Sequence, residues 1–179
     1  MRLVEEVYYN GAREKIGRLG LSNLLNQLKG ALAATSLRVL EEKDSNGGAA
    51  VRKLIDAALD GIGGWDKTTT GDIDWRKCAS SAGTTICLGV EVQVSARSDL
   101  LIMDIIHLRK AINAGAIDLG VLVVPSDHLS SFLTDRAPSM SDAKRHVAEA
   151  RADDLPLLLL AIEHDGPGPA LAKQKKRHP

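Results

Sequence analysis

Hydrophobic positions change period several times along the chain, and each change predicts an element. Leu21, Leu24, Leu25, Leu28 and Leu32 recur at helical spacing around Ser22, a residue type that caps helices. Gly47-Gly48 breaks the pattern. Val51, Leu54, Ile55, Ala58 and Leu59 then make a second amphipathic helix, stopped by Gly61, Gly63 and Gly64. The period drops to two over Asp72-Ile73-Asp74-Trp75 and again over residues 86–95. There Val90, Val92 and Val94 share one face, and Glu91, Gln93 and Ser95 share the other. Ser80, Ser81 and Gly83 lie between these strands and predict an antiparallel hairpin. After Ser98 a helical stripe returns with Leu101, Ile105, Leu108 and Ile112, and Gly115 ends it. Residues 119–124 read as a buried strand closed by Pro125. A helix capped by Ser139 or Ser141 runs through Ala150, and residues 157–162 form another apolar strand.

Strand, helix, strand, helix and strand after a hairpin imply an α/β fold: a mixed β-sheet flanked by helices, with an N-terminal helical region. A chain of 179 residues fits one domain. The expected division is a mostly helical part over 1–65, an α/β core over 70–165 and a basic tail over 166–179. Residues 61–64 are glycine-rich but follow a helix. A dinucleotide-binding loop follows a strand, so that reading is excluded.

Composition narrows this picture only slightly. Net charge is zero, which lends nucleic-acid binding no support. The distribution says more, since Lys173, Lys175, Lys176, Arg177 and His178 crowd the C-terminal end. Such a tail either meets phosphates or simply keeps the chain in solution. The longest apolar run, 155–162, is far too short to span a bilayer. Met1-Arg2-Leu3 leads at once to Glu5 and Glu6, so no signal peptide and a cytoplasmic location are expected. Cys78 and Cys87 lack zinc or redox spacing and are expected to be reduced thiols.

The candidate chemistry lies on the 86–95 strand. Glu91 and Gln93 point the same way, and the hairpin can bring Asp74 opposite them. Two carboxylates meeting on one sheet face make a hard oxygen site suited to Mg²⁺, with the Val92 carbonyl as a third oxygen. A water activated in such a site can attack a phosphodiester. The same alternation arises in any half-buried strand, so the spacing alone does not decide between the two.

Asp74–x16–Glu91-Val92-Gln93 resembles the catalytic motif of the PD-(D/E)xK nuclease superfamily, in the variant where Gln replaces Lys. More narrowly, the chain resembles the BglII/BstYI group of type II restriction endonucleases. The matching residues are Gly71-Asp72-Ile73-Asp74-Trp75, Val90-Glu91-Val92-Gln93-Val94-Ser95, and the opening stretch Met1-Arg2-Leu3-Val4-Glu5-Glu6-Val7-Tyr8-Tyr9-Asn10-Gly11. The resemblance covers roughly residues 1–35 and 70–135.

The resemblance implies a restriction-endonuclease-like fold and a Mg²⁺-dependent enzyme that cleaves double-stranded DNA at a short palindrome. It implies Asp74 and Glu91 as metal ligands, Val92 as a carbonyl donor and Gln93 in the place of the superfamily's Lys. The gap from Asp74 to Glu91 is longer than in the group, which leaves Asp72 as a rival ligand. A homodimer matches the symmetry of a palindrome, and a DNA methyltransferase acting on the same site is the expected companion. The products would carry 5′-phosphate and 3′-hydroxyl ends.

In that group the segment after the catalytic strand enters the major groove. Here it reads Ser95-Ala96-Arg97-Ser98, and Arg97 is either a base reader or an ordinary solvated Arg before a helix. Residues 126–139 would form a second recognition loop, with Asp127, His128, Thr134, Asp135 and Arg136 as its donors and acceptors. Asp135 and Asp165 are off the proposed face. His107, Arg109 and Lys110 sit on the following helix, read as a solvated face. Glu163-His164-Asp165-Gly166 holds hydrolase-type residues, but no nucleophile is placed beside them by spacing.

Overall fold

A computed structural model describes residues 1–67, 73–81, 83–95, 97–134 and 136–173. Its centre is a six-stranded sheet. Strand β1 (Arg2–Tyr9) leads into helices α1 (Ala12–Leu19) and α2 (Ser22–Ala34), then the short β2 (Arg38–Val39) and α3 (Gly48–Ile62). The edge strand β3 (Asp66–Lys67) precedes the hairpin of β4 (Trp75–Ser81) and β5 (Thr84–Val92). A 3₁₀ turn at Ser98–Leu100 opens α4 (Leu101–Asn113), which crosses to β6 (Leu119–Pro125). Helices α5 (Asp127–Phe132) and α6 (Met140–Glu149) lead to β7 (Leu157–Glu163) and the short β8 (Gly166–Pro167).

The order across the sheet is β1-β7-β6-β5-β4-β3. Strands β5, β6 and β7 are parallel, joined through helices as parallel neighbours require. The hairpin and β1 add antiparallel edges. Successive side chains of β5 to β7 feed two cores. Val90, Val92, Val121, Val123, Leu158 and Leu160 pack with α1, α2 and α3 on one face. Leu122, Val124, Leu157 and Leu159 pack with α4 and α6 on the other. Both faces are covered, so the central strands are near-continuous apolar runs. The result is the restriction-endonuclease-like mixed sheet with helices on its faces.

Several sequence expectations need correction. The sequence pattern predicts no strand before residue 72, yet β1 pairs with β7 from Arg2↔Glu163 to Tyr9↔Leu157. Its exposure alternates, but its residue types do not follow, with Val4 exposed and Glu5 half-buried, which hides the period-two signal. The first hairpin strand begins at Trp75 rather than Asp72 and extends through Ser80 and Ser81, so the turn is tighter than the serines suggested. Ser22 does not cap α2 but is its first residue, after Leu21. Ser139 does cap α6, with a reciprocal bond to Asp142.

Cys78 and Cys87 form a disulfide rather than two free thiols. They face each other directly in the β4–β5 register, a juxtaposition that their spacing in sequence does not display. Among the described residues no helix is long and apolar enough to cross a membrane.

Candidate active site

The ladder between β4 and β5 ends at the pair Trp75↔Val90. Asp74, one residue earlier, has left the strand, but its carboxylate continues the edge pairing. Its Oδ2 accepts the Val92 N–H at 2.8 Å. A side chain thus replaces a strand neighbour at the point where β5 would otherwise present an unpaired donor. Trp75 is fully buried and anchors this corner, and its indole N–H donates to Asp56 Oδ1 at 3.1 Å.

Helix α3 approaches the same corner from one face of the sheet. A Cβ on Gly48 would sit 2.3 Å from the Val94 carbonyl oxygen, so only glycine allows this close contact of α3 with the end of β5. One turn further on, Arg52 reaches the site. Its guanidinium donates to the Val92 carbonyl at 2.8 Å and to Asp56 Oδ1 at 2.9 Å, and pairs with Asp74 Oδ1 at 2.7 Å. A cation therefore bridges the Asp74 carboxylate and the Val92 carbonyl, two of the three oxygens that the sequence pattern assigns to a metal.

Helix α4 closes the other face. Glu91 is only 3% exposed, and its Oε1 lies 3.2 Å from His107 Nδ1. Asp104, one turn before His107, has a buried Oδ2 with no hydrogen-bond partner among the described residues. Burial and then the charges of Asp74 and Asp104 push the Glu91 carboxyl far above its ordinary range, with Arg52 offsetting only part of this. Burial and then Asp74 push Asp104 up to about 7, again against Arg52. Three carboxylates thus crowd one half-buried corner with too little positive charge to hold them all ionised.

The donors of Glu91, Asp104 and His107 lie within 4.8 Å of one another. The orphaned Asp104 oxygen and the raised carboxyls are what a divalent cation would relieve, so the residues present fit such an ion. Two of them, Asp104 and His107, were not among the residues singled out as ligands from sequence. Their three-residue spacing was the available signal, since it puts both on one side of α4. Arg52 and Asp56 were missed as well, although their four-residue spacing marks a paired face of α3.

Gln93 follows on β5's edge, half-buried, with its N–H bonded to the Val123 carbonyl at 2.9 Å. Ser95 is half-buried and Arg97 is exposed. Arg97 is forked onto Asp99, Nε to Oδ1 at 3.0 Å and one terminal nitrogen to Oδ2 at 2.8 Å. The Ser98 N–H donates to the Arg136 carbonyl at 3.1 Å, which ties the two segments read as recognition loops. Arg136 itself is exposed, with φ of 55°. Residues 127–132 of the second segment are helical, capped by Ser126 rather than looped.

Asp165 is remote from the cluster, bound to the Leu37 N–H and the N-terminal amine. Arg109 pairs with Asp154 and the Arg151 carbonyl. Asp72, Ala96, Asp135, Lys175, Lys176, Arg177 and His178 lie outside the described residues.

A hairpin feeding a parallel strand–helix–strand unit, with carboxylates gathered where the hairpin ladder ends, defines the class of restriction-endonuclease-like nucleases. A family model described as restriction endonuclease BglII/BglIII matches residues 4–162, and the chain belongs to that family. It is a sequence-specific DNA endonuclease, a type II site-specific deoxyribonuclease, with DNA as its substrate. Restriction endonucleases generally use divalent metal ions, and the acidic corner described above offers donors for one. A search of curated proteins finds no match.

Proposed function

We propose that this endonuclease hydrolyses DNA in a Mg²⁺-dependent reaction centred on Asp74, Glu91 and Gln93. The observation that carries the reading is the crowding of Asp74, Glu91 and Asp104, with one Asp104 oxygen buried and unpaired among the described residues. Asp74, Glu91 and the Val92 carbonyl hold the ion, and Asp104 completes an oxygen-rich set. A bound Mg²⁺ supplies Lewis acidity, lowering the pKa of a water and offsetting charge on the phosphate. His107 orients Glu91 through its Nδ1 contact, as partners of ligating groups commonly do.

Gln93 cannot ionise, so its amide positions water or phosphate by hydrogen bonds and takes no proton. Arg52 occupies Asp74 and the Val92 carbonyl, two oxygens that would hold the ion, and with those oxygens on the ion its charge would be free for the DNA backbone. Ser95, Arg97, Ser98 and Arg136 lie along the path read as the DNA contact. Arg97 exchanges Asp99 for a base edge, since a forked carboxylate and the O6/N7 edge of guanine present the same two-acceptor geometry.

A homodimer would place one such site on each strand of a palindrome. A methyltransferase of the same specificity would protect host DNA, and both proteins would work in the cytoplasm. The test is incubation with mixed plasmid DNA in Mg²⁺, in Ca²⁺ and in EDTA, followed by sequencing of the ends. Cleavage at one short palindrome in Mg²⁺ only, lost in Asp74→Asn and Glu91→Gln while binding in Ca²⁺ persists, is the expected outcome. Full cleavage in excess EDTA, or near-wild-type cutting by both variants, would overturn it.

A further inference from the structure

A second cluster stands where β6 and β7 end, apart from the acidic corner. His164, just past β7, is only 3% exposed, and among the described residues neither of its ring nitrogens has a hydrogen-bond partner. Its Nε2 is 3.2 Å from Glu163 Oε1, and its Nδ1 is 3.8 Å from Glu41 Oε1, neither aligned as a hydrogen bond. Glu163 Oε1 instead accepts the His164 backbone N–H at 2.9 Å. Glu163 Oε2 accepts the Ser126 hydroxyl at 2.6 Å and faces His128 Nδ1 at 3.2 Å. His128 is 63% exposed at its side chain and stacks on the His164 ring, with centroids 5.6 Å apart. Phe132 packs edge-on against both.

An ion pair of His128 with Glu163 would explain two of these three residues. It leaves His164 unexplained, because a buried imidazole keeps at least one polar partner in nearly all proteins. We propose that His128, Glu163 and His164 form a binding site for a transition-metal ion of the Zn²⁺ class, separate from the catalytic corner. Two imidazoles and a carboxylate are the donor set of such an ion, whereas Mg²⁺ takes oxygens.

Bonds of 2.0–2.1 Å at tetrahedral angles separate ligand atoms by about 3.3 Å. His128 Nδ1 lies 3.2 Å from Glu163 Oε2 and His164 Nε2 lies 3.2 Å from Glu163 Oε1, and one donor atom from each of the three residues falls within 4.8 Å of the others. The Ser126 hydroxyl donates to Glu163 Oε2 and so fixes the carboxylate, as an outer partner of a ligand does. Exposed His128 would leave one side of such an ion open to solvent. The ion would pin the start of α5 to the end of β7, and so fix the origin of the 126–139 segment that runs to Arg136.

Titration of the full chain with Co²⁺, a spectroscopic stand-in for Zn²⁺, tests this site. The wild type should develop one intense visible band that Zn²⁺ displaces and excess Mg²⁺ does not. His107→Ala, which removes the nitrogen donor of the other candidate group, should keep the band. His128→Ala should weaken binding by at least about tenfold. His128 is exposed, so this variant keeps its fold, checked by circular dichroism, even where His164→Asn does not. Absence of the band in the wild type would overturn the proposal. So would a band that survives His128→Ala unchanged or disappears in His107→Ala, since the ion would then sit at the catalytic corner or nowhere.

Discussion

Neutralising Asp104 should stabilise the metal-free protein and at the same time cost it the metal. Asp104 carries a proton affinity raised from 3.8 to about 7, by burial first and by Asp74 second. Between those two pH values the native state holds a proton that the unfolded chain has released. Stability therefore falls as pH rises through this window. The full rise corresponds to about 4 kcal/mol at pH above 7, at 1.36 kcal/mol per pH unit. Asn keeps the shape but lacks the acid's proton donor, so Asp104→Asn should recover about 2–4 kcal/mol in EDTA near pH 8. For a chain of this size that is roughly 4–12 °C in melting temperature. Near pH 5 the gap should shrink to about 1–2 kcal/mol, because Asp104 is then protonated in the wild-type native state. Saturating Ca²⁺ should stabilise the wild type, by about 2.7 kcal/mol at a hundred times its dissociation constant, and should barely move the variant. Melting curves at both pH values, with EDTA and with Ca²⁺, read all of this. A variant no more stable than wild type near pH 8 in EDTA, or a gap that does not narrow on acidification, would refute the account of a charge-crowded corner.

Three further outcomes follow from the same geometry. Gln93→Ala should lose less cleavage activity than Glu91→Ala, because a neutral amide contributes hydrogen bonds while the carboxylate holds the ion; single-turnover rates compare them. Arg52→Gln should bind Ca²⁺ about tenfold more tightly without DNA, because it removes a cation that competes for Asp74 and the Val92 carbonyl; calorimetry measures this, and weaker binding would mean that Arg52 organises the site rather than blocking it. Arg97→Ala should cost roughly 1–3 kcal/mol of discrimination at one base pair. Binding in Ca²⁺ to single-base variants of the cognate duplex reads it, and an equal loss on every duplex would make Arg97 a phosphate contact.

What the sequence made legible, and what it hid, divides along a physical line. Strands β5, β6 and β7 and helices α2, α3, α4 and α6 each carry an apolar pattern that follows from which faces are covered. That pattern is local, and so it can be read from neighbouring residues. The motif on β5 is local too: Glu91 and Gln93 share a face because the pleat alternates. Strand β1 was obscure because the polar and apolar residues of this edge strand do not follow its alternating exposure: Val4 is exposed while Glu5 is half-buried. The acidic corner was obscure for a different reason. Asp104 and His107 reach Glu91 only because α4 packs back across β5 and β6, and Arg52 reaches Asp74 only because Gly48 lets α3 touch the end of β5. The disulfide, likewise, exists through the register that sets Cys78 opposite Cys87. Each of these contacts is a product of packing between elements distant in the chain. A motif marks the strand on which an acidic site is built. The charge that gathers there is set by side chains that arrive from other layers.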